Sequence, residues 1–302
     1  MVARMSPTPA PEPSLLAIRD PDERPHASAT PRERLELLRA HLTRLGAVVV
    51  AYSGGVDSSV LLAVAHEQLG GGALGVIGVS DSYAARELEL ALDQAARIGA
   101  RVETVRTGEL SDPSFASNPS DRCYHCKTEL YVRLAQVARR EGGPVVDGTI
   151  ADDLADWRPG RRAAAERDVR SPLAELGFTK ADVRETAALL GLASAGKPAS
   201  PCLASRIPYG TPITRENLSQ VERAERLLRE LGLADLRVRH HGETARIEVP
   251  LGQLSRLTEP DMREDVVQGL KSLGFRWIAL DLEGLRSGNM NNSGTDAFRP
   301  GT

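Results

Sequence analysis

The chain has 302 residues, a length that suits two modest domains or one large domain with an appendage. Hydrophobic residues make up 41% and charged residues 26% of the sequence, as in ordinary globular proteins. Aromatic residues make up only 4%, which predicts a core of Leu, Val and Ala. The net charge of −3 argues against a broad surface that coats nucleic acid. No apolar run approaches the ~20 residues of a membrane-spanning helix.

The two ends of the chain differ in composition from the rest. Residues 1–30 are rich in Pro, Ser, Ala and Arg and lack the hydrophobic segment of a secretion signal. We expect a disordered leader at 1–30, a larger domain at 31–209, a smaller domain at 210–290 and a disordered tail at 291–302. Without an export signal the chain is expected in the cytoplasm, where thiols stay reduced.

The first half of the chain alternates between predicted helices and strands. An amphipathic helix is expected at 31–45, because its leucines recur on one face. The following predicted elements are strands 47–52, 74–79, 101–105 and 145–149, and helices 60–69, 82–98 and 121–140. This alternation predicts an α/β fold with a Rossmann-like, doubly wound parallel sheet. In such sheets, ligands bind beyond the carboxyl ends of the strands.

The second half of the chain is less regular. Residues 150–174 read as a polar connection without periodicity, and loops of this length are usually functional or disordered. A helix is expected at 179–190, and a proline-rich, non-helical stretch at 197–209. A small α+β domain is predicted from helices 214–231 and 259–273 and strands 236–240, 245–249 and 276–281.

A glycine-containing loop joins the first predicted strand to its helix. It reads Ser53-Gly54-Gly55-Val56-Asp57-Ser58-Ser59. A helix start offers unpaired N–H groups and partial positive charge, and glycines let the backbone approach an anion. The Gly-Lys-Ser/Thr ending of a Walker loop is missing. We therefore expect N–H and hydroxyl groups to grip a pyrophosphate without a loop lysine; an ordinary serine-capped turn is the alternative.

Other polar residues are expected at the same edge of the sheet. Ser80 and Asp81 follow the second strand, and Gly148 and Thr149 end the fourth. Because the carboxyl ends of parallel strands share an edge, these residues should converge with the glycine loop. Ser80 is a candidate neighbour of an adenosine, although a capped turn explains it equally well.

All three cysteines lie in two motifs, Cys123-x-x-Cys126 and the segment around Cys202. A C-x-x-C pair fits a redox dithiol, half of a zinc site, part of an iron–sulfur site, or two inert thiols. A zinc site with three cysteines would need a histidine. The histidine candidates are His125, His240 and His241. Three thiolates also suit a [4Fe–4S] cluster whose open iron holds an exogenous sulfide.

Several motifs act together with the glycine loop and the cysteines. They are residues 118–127, 156–160, 171–173, 201–206, 237–240 and 281–288. With these motifs the chain resembles LarE-type sulfur transferases of the PP-loop (ATP pyrophosphatase) superfamily over residues 31–290. The resemblance makes 31–209 the PP-loop domain and 210–290 a substrate or oligomerisation domain.

The resemblance implies an enzyme that helps to make the nickel-pincer nucleotide cofactor of lactate racemase. Such enzymes use ATP to adenylate a carboxylate of pyridinium-3,5-biscarboxylate mononucleotide, and sulfur then displaces AMP. In one form of the family, the cysteine matching Cys202 gives up its sulfur and remains as dehydroalanine. In the other form, three cysteines hold a [4Fe–4S] cluster that supplies sulfide repeatedly. The sacrificial form lacks the C-x-x-C pair, so the resemblance favours a cluster on Cys123, Cys126 and Cys202.

The resemblance also implies roles for charged residues. Asp57 would help to hold a Mg²⁺–pyrophosphate unit, Lys127 would assist adenylation, and Arg206 would orient substrate or AMP. Arg237 and Arg239 alternate along a strand and share a face, which suits capture of the substrate phosphate. The alternative for Lys127 is a solvated helix lysine. The alternative for Arg237 and Arg239 is an exposed strand with salt bridges. The acidic candidates for binding metal or substrate are Glu225 and Glu248, with Asp152 and Asp153 as weaker ones.

Three other functions stay open at the level of sequence. A tRNA thiolase can combine the same loop with three cysteines, but mild acidity and the carboxy-terminal motifs argue against it. An amidating enzyme of the superfamily would take ammonia and has no use for converging thiols. A non-enzymatic nucleotide sensor is the third. The resemblance itself implies a small pyridinium nucleotide substrate, a sulfide donor and a homo-oligomer, without nucleic acid or membrane partners.

Overall fold

The computed structural model describes residues 26, 28–154, 158–198 and 200–286. Residues 1–25 and 27 of the expected leader and the whole expected tail lie outside the described residues. Asp156, in one of the motifs, and the end of the motif at 281–288 also lie outside them. None of the helices in the described part of the chain is long and apolar enough to cross a lipid bilayer.

A parallel sheet of four strands lies at the centre of the first half, in the order β3-β2-β1-β4. Its strands are β1 Val48–Ala51, β2 Ala73–Val79, β3 Arg101–Arg106 and β4 Val145–Val146. The expected Rossmann-like α/β fold is confirmed. Strand β4 is shorter than predicted, because the Asp147 side chain accepts the Thr149 N–H at 3.1 Å and turns the backbone.

Helices cover both faces of this sheet. They are α1 Pro31–Leu45, α2 Val56–Leu69, α3 Ala85–Ile98, α4 Pro113–Ala116, α5 Arg122–Glu141, α6 Pro159–Ala165, α7 Pro172–Glu175 and α8 Lys180–Leu189. Alternate side chains of β1 enter different cores, as strand geometry requires. Val48 and Val50 pack with α1, α2 and α8, whereas Val49 packs with α5 and α6. Residues 150–174 were expected to be an irregular connection, but they contain α6 and α7.

A smaller sheet follows, in the order β5-β6-β7. Its elements are α9 Arg215–Glu230, β5 Arg237–His241, β6 Thr244–Glu248, α10 Leu254–Thr258, α11 Pro260–Ser272 and β7 Trp277–Leu280. The β5–β6 pair is antiparallel and the β6–β7 pair is parallel. Val238 of β5 and Ala245 and Ile247 of β6 join an apolar cluster with α9, α10 and α11. A domain boundary at 209–210 stays a prediction.

Candidate active site

The glycine loop at residues 53–59 joins β1 to α2. Gly54 has a φ of +68°, and a Cβ built there would lie 2.6 Å from the Cβ of Ala91, so backbone and space both require glycine. The Ser58 hydroxyl accepts the Ser53 N–H at 3.2 Å and donates to the Gly55 carbonyl at 3.1 Å. No side chain is hydrogen-bonded as a cap at Gly55, so the first N–H groups of α2 are available to an anion.

Two lysines from distant segments reach this loop. Lys180 Nζ donates to both carboxylate oxygens of Asp57 at 2.7 Å. Lys197 Nζ donates to the Gly54 carbonyl at 3.3 Å and pairs with Glu87 at 2.8 Å. Neither lysine is among the sequence-based candidates. The loop therefore has two ammonium groups beside it, although its own sequence contains none.

The carboxyl ends of the strands meet at this loop. Gly148 follows β4, and a Cβ built there would lie 2.9 Å from the backbone nitrogen of Ser58. Tyr83, beyond β2, donates its hydroxyl to the Ser53 carbonyl at 3.0 Å. Gly148 therefore lies at the glycine loop as expected, whereas Ser80 contacts Glu109 and Asp81 contacts Arg215.

Ser80 lies at the end of β2 against a buried carboxylate. The Ser80 and Ser82 hydroxyls donate to Glu109 Oε1 at 2.5 and 2.9 Å, and Cys126 Sγ lies 4.0 Å from the same oxygen. Glu109 is 2% exposed, and its Oε2 has no hydrogen-bond partner among the described residues. This network holds residues 80–82 in a turn, which explains why α3 begins at Ala85 and not at residue 82.

The thiols of the two cysteine motifs come together. Cys123 and Cys202 are exposed residues, and Cys126 is partly buried. Protein atoms still crowd the Cys123 thiol, so burial raises its pKa, and the charge of Cys202 raises it further. Burial also raises the pKa of Cys126, and the charges of Glu109, Cys202 and Cys123 raise it further. Cys126 also packs against the buried cluster that contains Leu203, the neighbour of Cys202, so the two motifs lie in the same region of the fold.

The histidine and cysteine candidates are the residues that a metal site would need. In the described ranges, no group of three His, Cys, Asp or Glu side chains has the arrangement of a metal site. His240 packs edge-on against Phe275 at 5.6 Å and is hydrogen-bonded to Gln220 at 2.9 Å, within the second core. Neither the zinc alternative nor the cluster therefore has its ligands grouped in the described residues, and both stay predictions.

Arg206 joins the Cys202 segment to α9. Its guanidinium donates to the carbonyls of Pro201 and Cys202 at 2.7 and 3.2 Å and to the Glu225 carboxylate at 2.8 and 3.2 Å. Burial alone would raise the pKa of Glu225, but Arg206 and Arg229 outweigh it and lower the pKa. Arg206 and Glu225 thus fix the position of Cys202, and direct contact of either with substrate stays a prediction.

Strands β5 and β6 turn a charged face toward the same segment. Arg239 donates to the Ser205 carbonyl at 2.9 Å and to Glu248 at 2.7 Å, and both charged side chains are buried. Arg237 lies opposite Glu248 in the β5–β6 register. Burial lowers the pKa of Arg237, and the charges of Arg206 and Arg239 lower it further. Three guanidinium groups therefore lie close together, which suits a phosphate.

Lys127 lies above a buried acid at the end of β4. Its Nζ is 3.7 Å from Asp147 Oδ2, and Asp147 also accepts the hydroxyls of Tyr131 and Ser171 at 2.8 and 2.7 Å. A Cβ added to Gly160 would lie 2.6 Å from Lys127 Cδ. Gly160, in the motif at 156–160, therefore makes room for Lys127, and Ser171, in the motif at 171–173, provides a hydrogen bond to Asp147. Asp147 is not among the sequence-based candidates.

The two weaker acidic candidates make local contacts. Asp152 accepts the Lys180 N–H at 2.8 Å, at the start of α8. Asp153 accepts the Ile150 N–H at 3.2 Å and pairs with Arg158 at 2.8 Å. Asp152 therefore helps to place the lysine that contacts the glycine loop, and a metal role for either acid stays a prediction.

The fold and the site place the chain among Rossmann-like α/β enzymes. It is 40% identical over 271 residues to the pyridinium-3,5-bisthiocarboxylic acid mononucleotide synthase of Lactiplantibacillus plantarum, which covers 89% of this chain and 98% of that protein. The chain belongs to the family of that synthase, the LarE-type sulfur transferases.

Two uncharacterized proteins are also similar to the chain. One, from Synechocystis sp., is 46% identical over 259 residues, which cover 85% of this chain and 97% of that protein. The other, from Methanocaldococcus jannaschii, is 30% identical over 245 residues, which cover 80% of this chain and 91% of that protein. No protein-family model matches the chain.

Proposed function

We propose that the protein adenylates a carboxylate of pyridinium-3,5-biscarboxylate mononucleotide with ATP and then replaces AMP by sulfur. The product is a thiocarboxylate, made during biosynthesis of the nickel-pincer nucleotide cofactor. The name of the Lactiplantibacillus plantarum relative gives a pyridinium-3,5-bisthiocarboxylic acid mononucleotide as its product. We base the proposal on the placement of the Cys202 segment. The Leu203 N–H donates to the Ser82 carbonyl at 2.8 Å on the glycine-loop side, and Arg239 holds the Ser205 carbonyl at 2.9 Å on the other side.

The glycine loop would hold the pyrophosphate end of ATP. Its N–H groups and the start of α2 offer donors, and phosphate oxygens would draw Lys180 away from Asp57 and Lys197 away from the Gly54 carbonyl. The Asp57 carboxylate is then free to act as the oxygen ligand that Mg²⁺ prefers. These fixed positive groups would stabilise the charge that develops at the α-phosphorus and on the leaving pyrophosphate. A Mg²⁺ held by Asp57 would supply further charge neutralisation there.

The arginine face would hold the phosphate of the pyridinium nucleotide. Arg239 and Arg206 keep fixed orientations, because Glu248 and Glu225 bind them inside the protein. Arg237 is less buried than either and lies where the other two guanidiniums add positive charge. A pyridinium nucleotide whose phosphate is bound there would have its carboxylates near the Cys202 segment, because Arg239 contacts that segment directly. Substrate position and sulfur source are then brought together by the same residues.

We propose Cys123, Cys126 and Cys202 as the ligands of a [4Fe–4S] cluster. The chemistry of the donors fits, because thiolates are the usual ligands of such clusters, and the positive charges of Arg122 and Lys127 work against the burial that raises the Cys123 pKa. Held by these three thiolates, the cluster would supply the sulfide that replaces AMP. The alternative is that Cys202 itself gives up its sulfur.

The overall reaction can be tested with the protein reconstituted without oxygen. Supplied with Mg²⁺, ATP, sulfide and the pyridinium biscarboxylate nucleotide, it should release pyrophosphate and AMP. Mass spectrometry should show a product in which sulfur replaces carboxylate oxygen. Pyrophosphate release that needs tRNA would indicate a tRNA thiolase, and an amide formed from ammonia would indicate an amidating enzyme. Either result would overturn the proposal.

The cluster is tested separately from activity. The reconstituted protein should be brown, with absorbance near ~400 nm from thiolate-bound iron. Cys123→Ala, Cys126→Ala and Cys202→Ala should each bind less iron. His125→Ala is the matched control, since His125 lies between two cysteines and approaches Asp112 at 3.9 Å. Full iron binding by the three cysteine variants would overturn the assignment.

A further inference from the structure

Asn118 connects the segments that carry the two cysteine motifs. It lies between α4 and α5, four residues before Arg122, and its side chain is fully buried. The two N–H groups of Nδ2 donate to the carbonyls of Pro208 and Thr211 at 2.7 and 3.0 Å, and the Ile207 carbonyl shares one of them at 3.3 Å. One side chain therefore holds three carbonyls of the segment that follows Cys202.

The other polar groups of Asn118 are also engaged. Its backbone carbonyl accepts the Gly210 N–H at 2.9 Å, and its Oδ1 accepts from Arg122 at 2.8 Å. The Arg122 guanidinium lies over the ring of Tyr209, 4.5 Å from its centroid. Arg122 precedes Cys123 directly, so the contact reaches from one cysteine motif to the other.

The conformation of this residue explains why it is asparagine. Asn118 has a φ of 58°, a left-handed backbone that glycine and asparagine adopt most readily. Glycine would fit the backbone but would lose the amide. Aspartate would keep the shape but would turn a carboxylate oxygen toward three carbonyls, which repel it. Asparagine meets both requirements at once.

The surrounding packing joins the same two segments. The Ile213 N–H donates to the Ala116 carbonyl at 2.8 Å. Phe115, Leu203 and Ile207 belong to one buried apolar cluster, and Cys126 packs against it. This cluster supports both segments, while the Asn118 amide sets their register.

We propose that Asn118 is a positioning residue that sets the distance between Cys123 and Cys202, so that thiols from both motifs serve one sulfur-transfer site. Its importance for catalysis rests on the proposed function above. The distance itself can be measured without ATP, substrate or iron.

The experiment uses iron-free protein with Cys126→Ser, which leaves Cys123 and Cys202 as the available thiols. Dibromobimane loses one bromide to each thiolate and fluoresces once both arms have reacted. Asn118→Gly should lower the bridged fraction about tenfold, the change that about 1.4 kcal/mol produces. Total alkylation should not change. Asn118→Asp is the second variant and should show the same loss.

Asp168→Gly is the matched control, because Asp168 has a similar φ of 53° at an exposed position after α6. It should leave the bridged fraction unchanged. With all cysteines restored, Asn118→Gly should lower the kcat of sulfur transfer about tenfold and leave the KM of ATP for pyrophosphate release unchanged. A bridged fraction equal to that of the parent protein in both Asn118 variants would overturn the proposal. If no thiocarboxylate forms in any variant but bridging falls, the proposed function fails and the positioning role stands.

Discussion

Glu225→Gln removes one charge from the buried ion pair that ties the Cys202 segment to α9. Glu225 and Arg206 are 2% and 3% exposed, so water cannot replace the lost carboxylate. Glu225 accepts from Arg206, from Arg229 at 2.8 Å and from the Val238 N–H at 3.2 Å. The change leaves two guanidiniums without their common counter-ion.

The structure sets the size of the expected effect. Removing one partner of a buried ion pair costs about 3–5 kcal/mol, because the other charge stays buried without compensation. Glutamine keeps part of the hydrogen bonding, so we expect Glu225→Gln to lose about 3 kcal/mol of the free energy of unfolding. Arg206 would also hold the Pro201 and Cys202 carbonyls less firmly, and sulfur transfer should fall with stability.

Urea unfolding at neutral pH measures the loss. Asp93→Asn is the matched control, since the Asp93–Arg97 pair is 58% and 69% exposed and such pairs contribute about 0–1 kcal/mol. Arg206→Met combined with Glu225→Met should be less destabilised than the sum of the single changes. A Glu225→Gln protein as stable as the Asp93→Asn control would refute the role given to this ion pair.

The same carboxylate predicts a pH dependence. The pKa of Glu225 is lowered from its ordinary value of 4.5, since the two arginines outweigh burial. Its contribution to stability is therefore complete above the unfolded pKa and is lost as the pH falls through the folded pKa. Wild-type protein should lose more stability than Glu225→Gln on acidification below pH 4.5. Parallel stability curves for the two proteins would contradict this.

Three further changes test the nucleotide and substrate sites. Gly54→Ala should destabilise the protein by more than about 1 kcal/mol and abolish pyrophosphate release, because φ and the Ala91 contact both exclude a Cβ. Lys180→Met should raise the KM of ATP about tenfold, as expected for a lost hydrogen bond to a charged group. Arg237→Met should raise the KM of the pyridinium nucleotide about tenfold and leave that of ATP unchanged.

Matched variants separate these effects from general damage. Gly46 also has a positive φ of +73°, but nothing lies within 4 Å of an added Cβ, so Gly46→Ala should destabilise the fold and spare the site. Lys271→Met, on an exposed position of α11, controls for loss of a lysine. Equal ATP affinity in Lys180→Met and Lys271→Met would contradict the role of Lys180. An unchanged KM of the pyridinium nucleotide in Arg237→Met would contradict the role of Arg237 in binding that nucleotide.

Local signals predicted much of the fold. Apolar runs flanked by glycine loops are typical of buried parallel strands, so the central strands could be located from sequence. The helix at 179–190 was expected from its pattern, and Thr179 caps α8 with a reciprocal bond to Asp182. The short helices α6 and α7 were missed, although each starts with a proline at its first position, a signal that could have found them.

The missing parts of the site depend on contacts between distant segments. Lys180 lies 123 residues from Asp57 in sequence, and Lys197 lies 143 residues from Gly54. No local pattern marks a lysine whose partner is set by tertiary packing. Glu109 likewise reads as one acid of a polar loop until folding buries it beside Cys126.

The sulfur source is tested most directly by the mass of Cys202 after a single turnover. Protein loaded with iron should be given Mg²⁺, ATP, sulfide and the pyridinium nucleotide, and then digested for peptide mass spectrometry. We predict that the peptide containing Cys202 keeps its sulfur while thiocarboxylate accumulates. Dehydroalanine at Cys202, together with full single-turnover activity in Cys123→Ala and Cys126→Ala, would contradict the cluster and assign the sulfur to Cys202 itself.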